Sequence, residues 1–213
     1  MRPYPNEFVW FPERGYGYFP VSFADMPYDK AYFERYQKQD RSEIGDKLNA
    51  ARVALVAKYM QPGKVLCDVG IGGGRFIEDA AEVLGTKSLR GYDVNPEAER
   101  WIHSRAAWHD IYSWHMDAAT FWDSLEHIHF PEVILANIKE YLFVSLPIFT
   151  GPEHVLRSKH FRKDEHCHYW TDDGFKRYMT DAGFELVESN TMEQDAGRED
   201  IGTYVFRRKH DSN

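Results

Sequence analysis

The sequence predicts an α/β domain, a mostly parallel sheet with helices on both faces. Three observations carry this. Short apolar runs alternate with amphipathic stretches through residues 64–207, the pattern of strands crossed over by helices. A glycine-rich turn at residues 70–74 stands directly behind the first of those runs. The chain of 213 residues, 43% hydrophobic and 28% charged, has the length and balance of one globular domain.

From the N-terminus, residues 1–27 hold five prolines and many aromatics without a period, so an irregular arm is expected there. A first helix is expected over 28–39. A stronger one starts at Ser42, an N-cap candidate, with Ile44, Leu48, Ala51 and Leu55 on one face. Gln61-Pro62-Gly63 ends it. Residues 64–69 then read as a buried strand, and the helix behind the glycine turn carries Phe76, Ile77, Ala80, Ala81 and Leu84 before closing on Gly85. A second strand covers 88–92 and ends at Asp93. Asn95, Pro96 and Glu97 supply cap, first-turn proline and acid for the next helix, which carries Trp101 and Ile102. Strands are expected at 118–122 and 141–147, with a helix at 131–138 between them. Thr171 caps a helix running to about Asp181 and closed by Gly183. Two final strands, 184–188 and 203–207, are joined by a stretch without helical pattern and fit an antiparallel pair at the end of the sheet.

Composition narrows the function. A net charge of −8 weighs against a sequence-independent grip on nucleic acid. Cys67 and Cys167 form neither a disulfide framework nor a four-cysteine zinc site. The first residues lack the apolar stretch of a signal peptide. The run nearest membrane character, residues 141–149, falls far short of the roughly 20 residues a span requires. A cytoplasmic protein that does not enter the membrane is expected.

The chemistry begins with Asp68-x-Gly70-x-Gly72-x-Gly74 between a strand and a helix. Glycines let the chain turn sharply and let a ligand approach backbone where a Cβ would collide. The following helix presents free amides. Nineteen residues past Gly74, Asp93 ends the next strand, where a carboxylate can accept hydrogen bonds from both hydroxyls of a ribose. A dinucleotide fingerprint needs its third glycine at Arg75 or Ile77, depending on the frame, and neither fits. A leading acid suits the phosphate-free, cationic S-adenosylmethionine better than a pyrophosphate.

Residues 65–76 resemble the first motif of class I S-adenosylmethionine-dependent methyltransferases, and residues 91–96 resemble their second, with Asp93 as the ribose acid. Phe121-Trp122-Asp123-Ser124-Leu125-Glu126-His127 resembles the segment after strand four in the ubiquinone-biosynthesis-like branch. Val144-Ser145-Leu146-Pro147, and residues 168–184, are similar to later elements of that branch. The resemblance covers roughly residues 45–206. It implies a Rossmann-like sandwich on a seven-stranded, mostly parallel sheet with an antiparallel last strand. It also divides the chain into an N-terminal arm with its first helix, 1–41, and a cofactor-binding methyltransferase domain, 42–213. Cofactor contacts are expected from Asp68, Gly70, Ile71, Gly72, Gly74, Arg75, Asp93, Val94, Trp122 and Asp123. Asp110 is the best match for the acid of the third motif, with Asp117 the other candidate.

Methyl transfer from a sulfonium is an in-line displacement in which alignment supplies much of the rate. His127 and Glu126 are the candidate catalytic pair, His127 as a base for a hydroxyl acceptor. Residues 151–168 are rich in Arg, Lys and His and follow the fifth strand of the implied sheet, so a lid over the acceptor is expected, with His160, His166 and His168 touching substrate. The adjacent His166-Cys167-His168 does not follow the separated pairs of structural zinc sites, so no metal is expected. The expectation is a small-molecule methyltransferase acting at oxygen, with S-adenosylhomocysteine as product and oligomeric state left open. The rivals are a methyltransferase of a nucleotide or macromolecule, and a non-catalytic S-adenosylmethionine-binding protein.

Overall fold

The computed structural model describes residues 7–22, 28–105 and 107–209. Two N-terminal strands, β1 (Val9–Phe11) and β2 (Tyr16–Tyr18), form a hairpin. This corrects the expected irregular arm as far as it is described; residues 1–6 and 23–27 of that arm lie outside the described residues. The pleat explains the correction. Phe8 and Gly17 are buried, and Phe8 packs edge-on against Tyr169 and Phe161, so aromatics without helical period are a sheet edge seeking cover.

Helix α1 (Lys30–Asp40) is capped by Asp29, whose side chain accepts from the Tyr32 amide, and α2 (Glu43–Tyr59) by Ser42, which accepts from the Gly45 amide. Five alternating elements follow: β3 (Leu66–Val69), α3 (Arg75–Leu84), β4 (Leu89–Tyr92), α4 (Pro96–His103) and β5 (Met116–Trp122). Next come α5 (Pro131–Leu135), β6 (Ile138–Phe149), α6 (Pro152–Arg157), β7 (His168–Thr171) and α7 (Asp172–Asp181). The chain closes with β8 (Phe184–Asn190), α8 (Met192–Asp195) and β9 (Ile201–Arg208). The helix expected to reach residue 138 stops at Leu135 because Ile138 pairs with Met116 and opens β6. The stretch joining the last strands contains the short α8, too brief to leave a periodic signal.

Strands β4, β3, β5 and β6 pair in parallel, and β9 and β8 follow antiparallel. This is the expected α/β sandwich. Among the described residues the sheet has nine strands rather than seven because β6 forks. Residues 141–147 pair with β9, while Ile148 and Phe149 pair with Trp170 and Thr171 of β7. Beyond β7 lie β2 and β1. At the other edge, past β4, only a single parallel bridge between Gly91 and Trp108 remains among the described residues.

Along β6 the side chains alternate. Leu142 and Val144 join one core with Phe121, Trp170 and Phe175, whereas Phe143 joins the other with Leu66, Ile77 and Ile102. Both faces are therefore covered, α2, α3 and α4 lying on the second and α5 and α7 on the first. That leaves the carboxyl ends of the parallel strands as the open crevice.

Candidate functional site

A cavity of about 640 Å³ opens at those strand ends. Its floor is the glycine loop. Gly70, Gly72 and Gly74 have φ of 80°, 55° and 82°, values that glycine adopts without strain. A Cβ at Gly70 would stand 2.6 Å from Ser124 Cβ, and one at Gly73 would stand 2.5 Å from Asp40 Oδ2. Asp40 in turn accepts from the Gly73 amide at 3.0 Å, so the end of α1 is fastened to the loop.

Two acids flank the loop. Asp68 is buried and accepts from the Thr120 hydroxyl at 2.7 Å. Burial pushes its carboxyl up to about 7, against the opposing pull of that hydrogen bond and of Arg52. Asp93 accepts from the Asn95 amide at 2.8 Å. Burial raises it to about 6, while the amides of Asn95, Gly72, Ile71 and Val94 favour its charged form. Both carboxylates line the cavity, together with Gly70, Ile71, Gly72, Val94, Trp122 and Asp123.

Asp123 sits at φ 55°, unusual for a residue with a Cβ. Its carboxylate meets Arg198 at 2.6 Å and Arg52 at 3.6 Å, and the buried Glu193 meets the same two arginines at 2.5 and 2.6 Å. The Arg52 guanidinium also lies 5.0 Å from the Trp122 ring. Charges from α2, from the end of β5 and from the α8 region thus lock one wall of the cavity. The arginines hold the Asp123 carboxyl below the ordinary carboxylate range although burial works the other way.

The lining also carries Glu126, His127, His160 and His166. Glu126 is held well above the usual carboxylate range by burial, then by the nearby Asp123. His127 is kept neutral, its pKa lowered to about 4 by burial, and its Nδ1 shares a 2.9 Å hydrogen bond with the Tyr28 hydroxyl. Burial lowers His160 and His166 as well, with His127 a further cause at His166. His160 Nε2 is bonded to the Glu199 carbonyl at 3.2 Å.

Four expected site residues lie outside the cavity lining. Gly74 is needed for packing, since a Cβ there would meet the Trp101 ring at 2.6 Å. Arg75 pairs with Asp79 at 2.9 Å and Asp46 at 3.8 Å. Asp110 turns back to accept from the Tyr112 amide at 3.0 Å, while its neighbours Ile111 and Tyr112 do line the cavity. His168 is clamped between the Tyr16 hydroxyl, at 2.7 Å, and the Ile128 carbonyl, at 2.8 Å. Asp117, the other third-motif candidate, accepts from the Val65 amide and also lies outside. The expected lid segment contains α6 and is tied down by His154–Asp200 and Lys159–Glu199 contacts of 3.2 and 3.6 Å. His160, Arg162 and His166 are its residues that reach the cavity.

Sequence reading missed the part that α1 plays in the site. Tyr28, just ahead of α1, and Tyr32, Tyr36 and Asp40, a stripe on one face of it, recur every fourth residue, and all four line the cavity. Tyr32 and Tyr36 stack at 4.7 Å, and the Tyr32 hydroxyl donates to Glu165 at 3.4 Å. That fourfold spacing was the available signal.

Residues 36–189 match the profile of a family described as a methyltransferase domain. No curated protein matches the chain significantly. Among solved structures, a magnesium protoporphyrin IX methyltransferase from Synechocystis PCC 6803 with bound SAH is similar over 84% of this chain and 95% of its own, at 16% identity and a TM-score of 0.58. A Burkholderia thailandensis 1,6-didemethyltoxoflavin-N1-methyltransferase, with its substrate and S-adenosylhomocysteine bound, is similar over 96% of this chain and 100% of its own, at 15% identity and a TM-score of 0.63. The [4+2]-cyclase SpnF is similar over 79% and 83%, at 15% identity and a TM-score of 0.55. At such identities the likeness is one of fold.

Proposed function

This chain belongs to the methyltransferase-domain family, and on that premise we propose that it transfers a methyl group from S-adenosylmethionine to a small-molecule acceptor, at oxygen. One observation carries the reading: a single cavity joins the glycine loop and Asp93 to Glu126, His127 and His166. The ribose hydroxyls donate to Asp93, and the loop's backbone receives the rest of the cofactor where Gly72 offers no side chain. Ile111 and Tyr112 flank the adenine. The acceptor enters against the histidine wall, beside Arg162, whose guanidinium pairs with the buried Glu165 at 2.8 Å.

In the transfer, a lone pair on the acceptor oxygen forms the new O–CH3 bond as the CH3–S bond breaks. The pair from that bond stays on sulfur, and the hydroxyl proton is released. Glu126 and His127 are placed to take or relay it. Burial makes Glu126 the more basic of the pair and leaves His127 a neutral hydrogen-bonding partner. The substrates named for the two methyltransferase neighbours are small molecules, which supports an acceptor of that size. Two free, buried thiols fit a reducing compartment such as the cytoplasm. Among the described residues no helix is long and apolar enough to cross a membrane.

The test is an acceptor screen with methyl-labelled S-adenosylmethionine across hydroxyl-bearing, amine-bearing and nucleotide pools. Label in a small hydroxylated compound is the expected result. Label only in nucleic acid or protein would establish the macromolecular alternative, and cofactor binding without turnover in any pool would establish the binding-protein alternative.

A further inference from the structure

Glu126 and His166 carry buried polar atoms that the described fold leaves unsatisfied. Neither Glu126 carboxylate oxygen has a hydrogen-bond partner among the described residues, nor does His166 Nδ1. Glu126 is 1% exposed and His166 4% exposed. Groups of this kind are kept bare in a protein interior only at a cost, so their arrangement points to something that binds them.

The backbone itself brings them together. The Cys167 amide donates to the Glu126 carbonyl at 2.8 Å, stitching the turn at residues 125–127 to the start of β7. His127 completes the group: its ring lies 4.5 Å from that of His166, and its Nε2 lies 3.9 Å from Glu126 Oε1. Because Tyr28 occupies Nδ1, Nε2 is the nitrogen left for the cluster. One donor atom from each residue falls within 4.8 Å of the other two, and all three residues face the cavity.

We propose that Glu126, His127 and His166 bind a divalent first-row transition-metal ion, with its remaining coordination positions open to the cavity. Two imidazoles and one carboxylate suit zinc, iron(II) or manganese rather than the all-oxygen preference of calcium and magnesium. Three protein ligands with an open position are the arrangement of catalytic rather than structural sites. The Tyr28 hydroxyl plays the outer part, fixing the tautomer and orientation of His127. This reverses the expectation of no metal. That expectation weighed the neighbours Cys167 and His168 as partners for His166, whereas its partners stand about forty residues earlier in the chain.

The role of the ion rests on the methyl-transfer reading above. An acceptor hydroxyl that coordinates the ion loses its proton to water, and the resulting oxyanion forms the O–CH3 bond while the CH3–S electron pair remains on sulfur. Glu126 and His127 are then ligands, and the ion replaces a side-chain base by making the coordinated hydroxyl acidic enough to give its proton to water.

The full chain, stripped with EDTA, is titrated with cobalt(II) by visible absorption and with zinc and manganese by calorimetry. One equivalent per chain is expected, with Glu126→Gln and His166→Gln each weakening cobalt binding by at least about tenfold. Tyr28→Phe, which leaves all three ligands in place, is expected to weaken it several-fold. S-adenosylhomocysteine titrated into the same proteins reports the cofactor wall and should change little. The site is overturned by absence of stoichiometric binding in the parent protein, or by unchanged cobalt affinity in Tyr28→Phe and in whichever glutamine variant remains folded. Failure of the parent to bind S-adenosylhomocysteine would instead sink the methyl-transfer reading and leave the metal result standing on its own.

Discussion

Two parts of the cavity lining, a glycine wall and a histidine wall, are built by opposite means. The glycine wall is shaped by backbone, with left-handed turns at Gly70 and Gly72 and amides aimed at Asp93. The histidine wall is shaped by side chains from distant segments: Tyr28 ahead of α1, Glu126 and His127 after β5, and His166 before β7. A backbone-shaped site must be written in consecutive residues, because a turn is local. A side-chain site can draw on any part of the chain that the sheet brings near.

The sharpest way to break this contrast is to put a side chain on the backbone wall. Gly72 holds φ 55°, and a Cβ added there would stand 3.4 Å from the Tyr36 ring. Gly72→Val is therefore expected to cut S-adenosylhomocysteine affinity by at least about a hundredfold while circular dichroism stays native, since a branched residue is strained there and stands in the ligand's path. Native-like binding in a folded variant would make the loop merely structural.

Asp93→Ala comes next. It removes two charge-assisted hydrogen bonds, together contributing roughly 1.5–3 kcal/mol, so calorimetry should show affinity falling about ten- to a hundredfold. An unchanged affinity would take the ribose away from Asp93.

These two positions were also the legible ones. The loop, Asp93 and the strands that carry them could be read because periodicity and turn chemistry are local. The hairpin, β7 and the fork in β6 could not, because Tyr16 finds Trp170 and Tyr18 finds His168 only in the folded sheet. The same distinction separates Arg75 and Asp110 from the cavity. Motif position placed them beside the ligand, whereas a helical neighbour at i+4 and an adjacent amide claim their side chains. His168 misled for a related reason. Its company of basic residues suggested a lid residue touching substrate, yet it is 7% exposed, clamped at both ring nitrogens and outside the cavity lining.

Protonation gives a finer comparison. Asp68 and Asp93 have folded pKa values of about 7 and about 6, raised from 3.8 by burial. Between those limits the folded apo-protein holds protons that the unfolded chain has released. Their stabilising contribution is thus present below the unfolded value and lost as pH rises through the folded one. His127 and His168, both lowered to about 4, act with the opposite sign up to their unfolded value of 6.5. A difference measurement isolates the acid: the parent should lose thermal stability relative to Asp68→Asn as pH rises from 3.8 to about 7. A pH-independent difference would mean that Asp68 is not protonated in the apo-protein. Cofactor affinity should rise over the same window, because the ionised acids are the better acceptors.

The smallest effect belongs to Arg75. Its partners Asp79 and Asp46 lie outside the cavity, so Arg75→Ala should change S-adenosylhomocysteine affinity by no more than about twofold, as is usual for a surface ion pair. A tenfold loss would put a side chain on the wall that backbone otherwise builds.

The pairing of the N-terminal hairpin with β7 has a consequence for synthesis. Tyr16 and His168, which share a hydrogen bond, are 152 residues apart. At roughly 5–20 residues per second, the hairpin leaves the ribosome about 8–30 seconds before its neighbouring strand exists. During that interval Phe8, Phe19 and Val21, all buried in the finished protein, are without the β7 surface that covers them. His166 emerges just ahead of β7, so the histidine wall is completed at the same late stage, long after the glycine loop has been made. A chaperone that holds exposed aromatics has its natural target in this hairpin. A nascent chain stalled before residue 166 carries the residues of its cofactor loop but not those that complete its reaction wall.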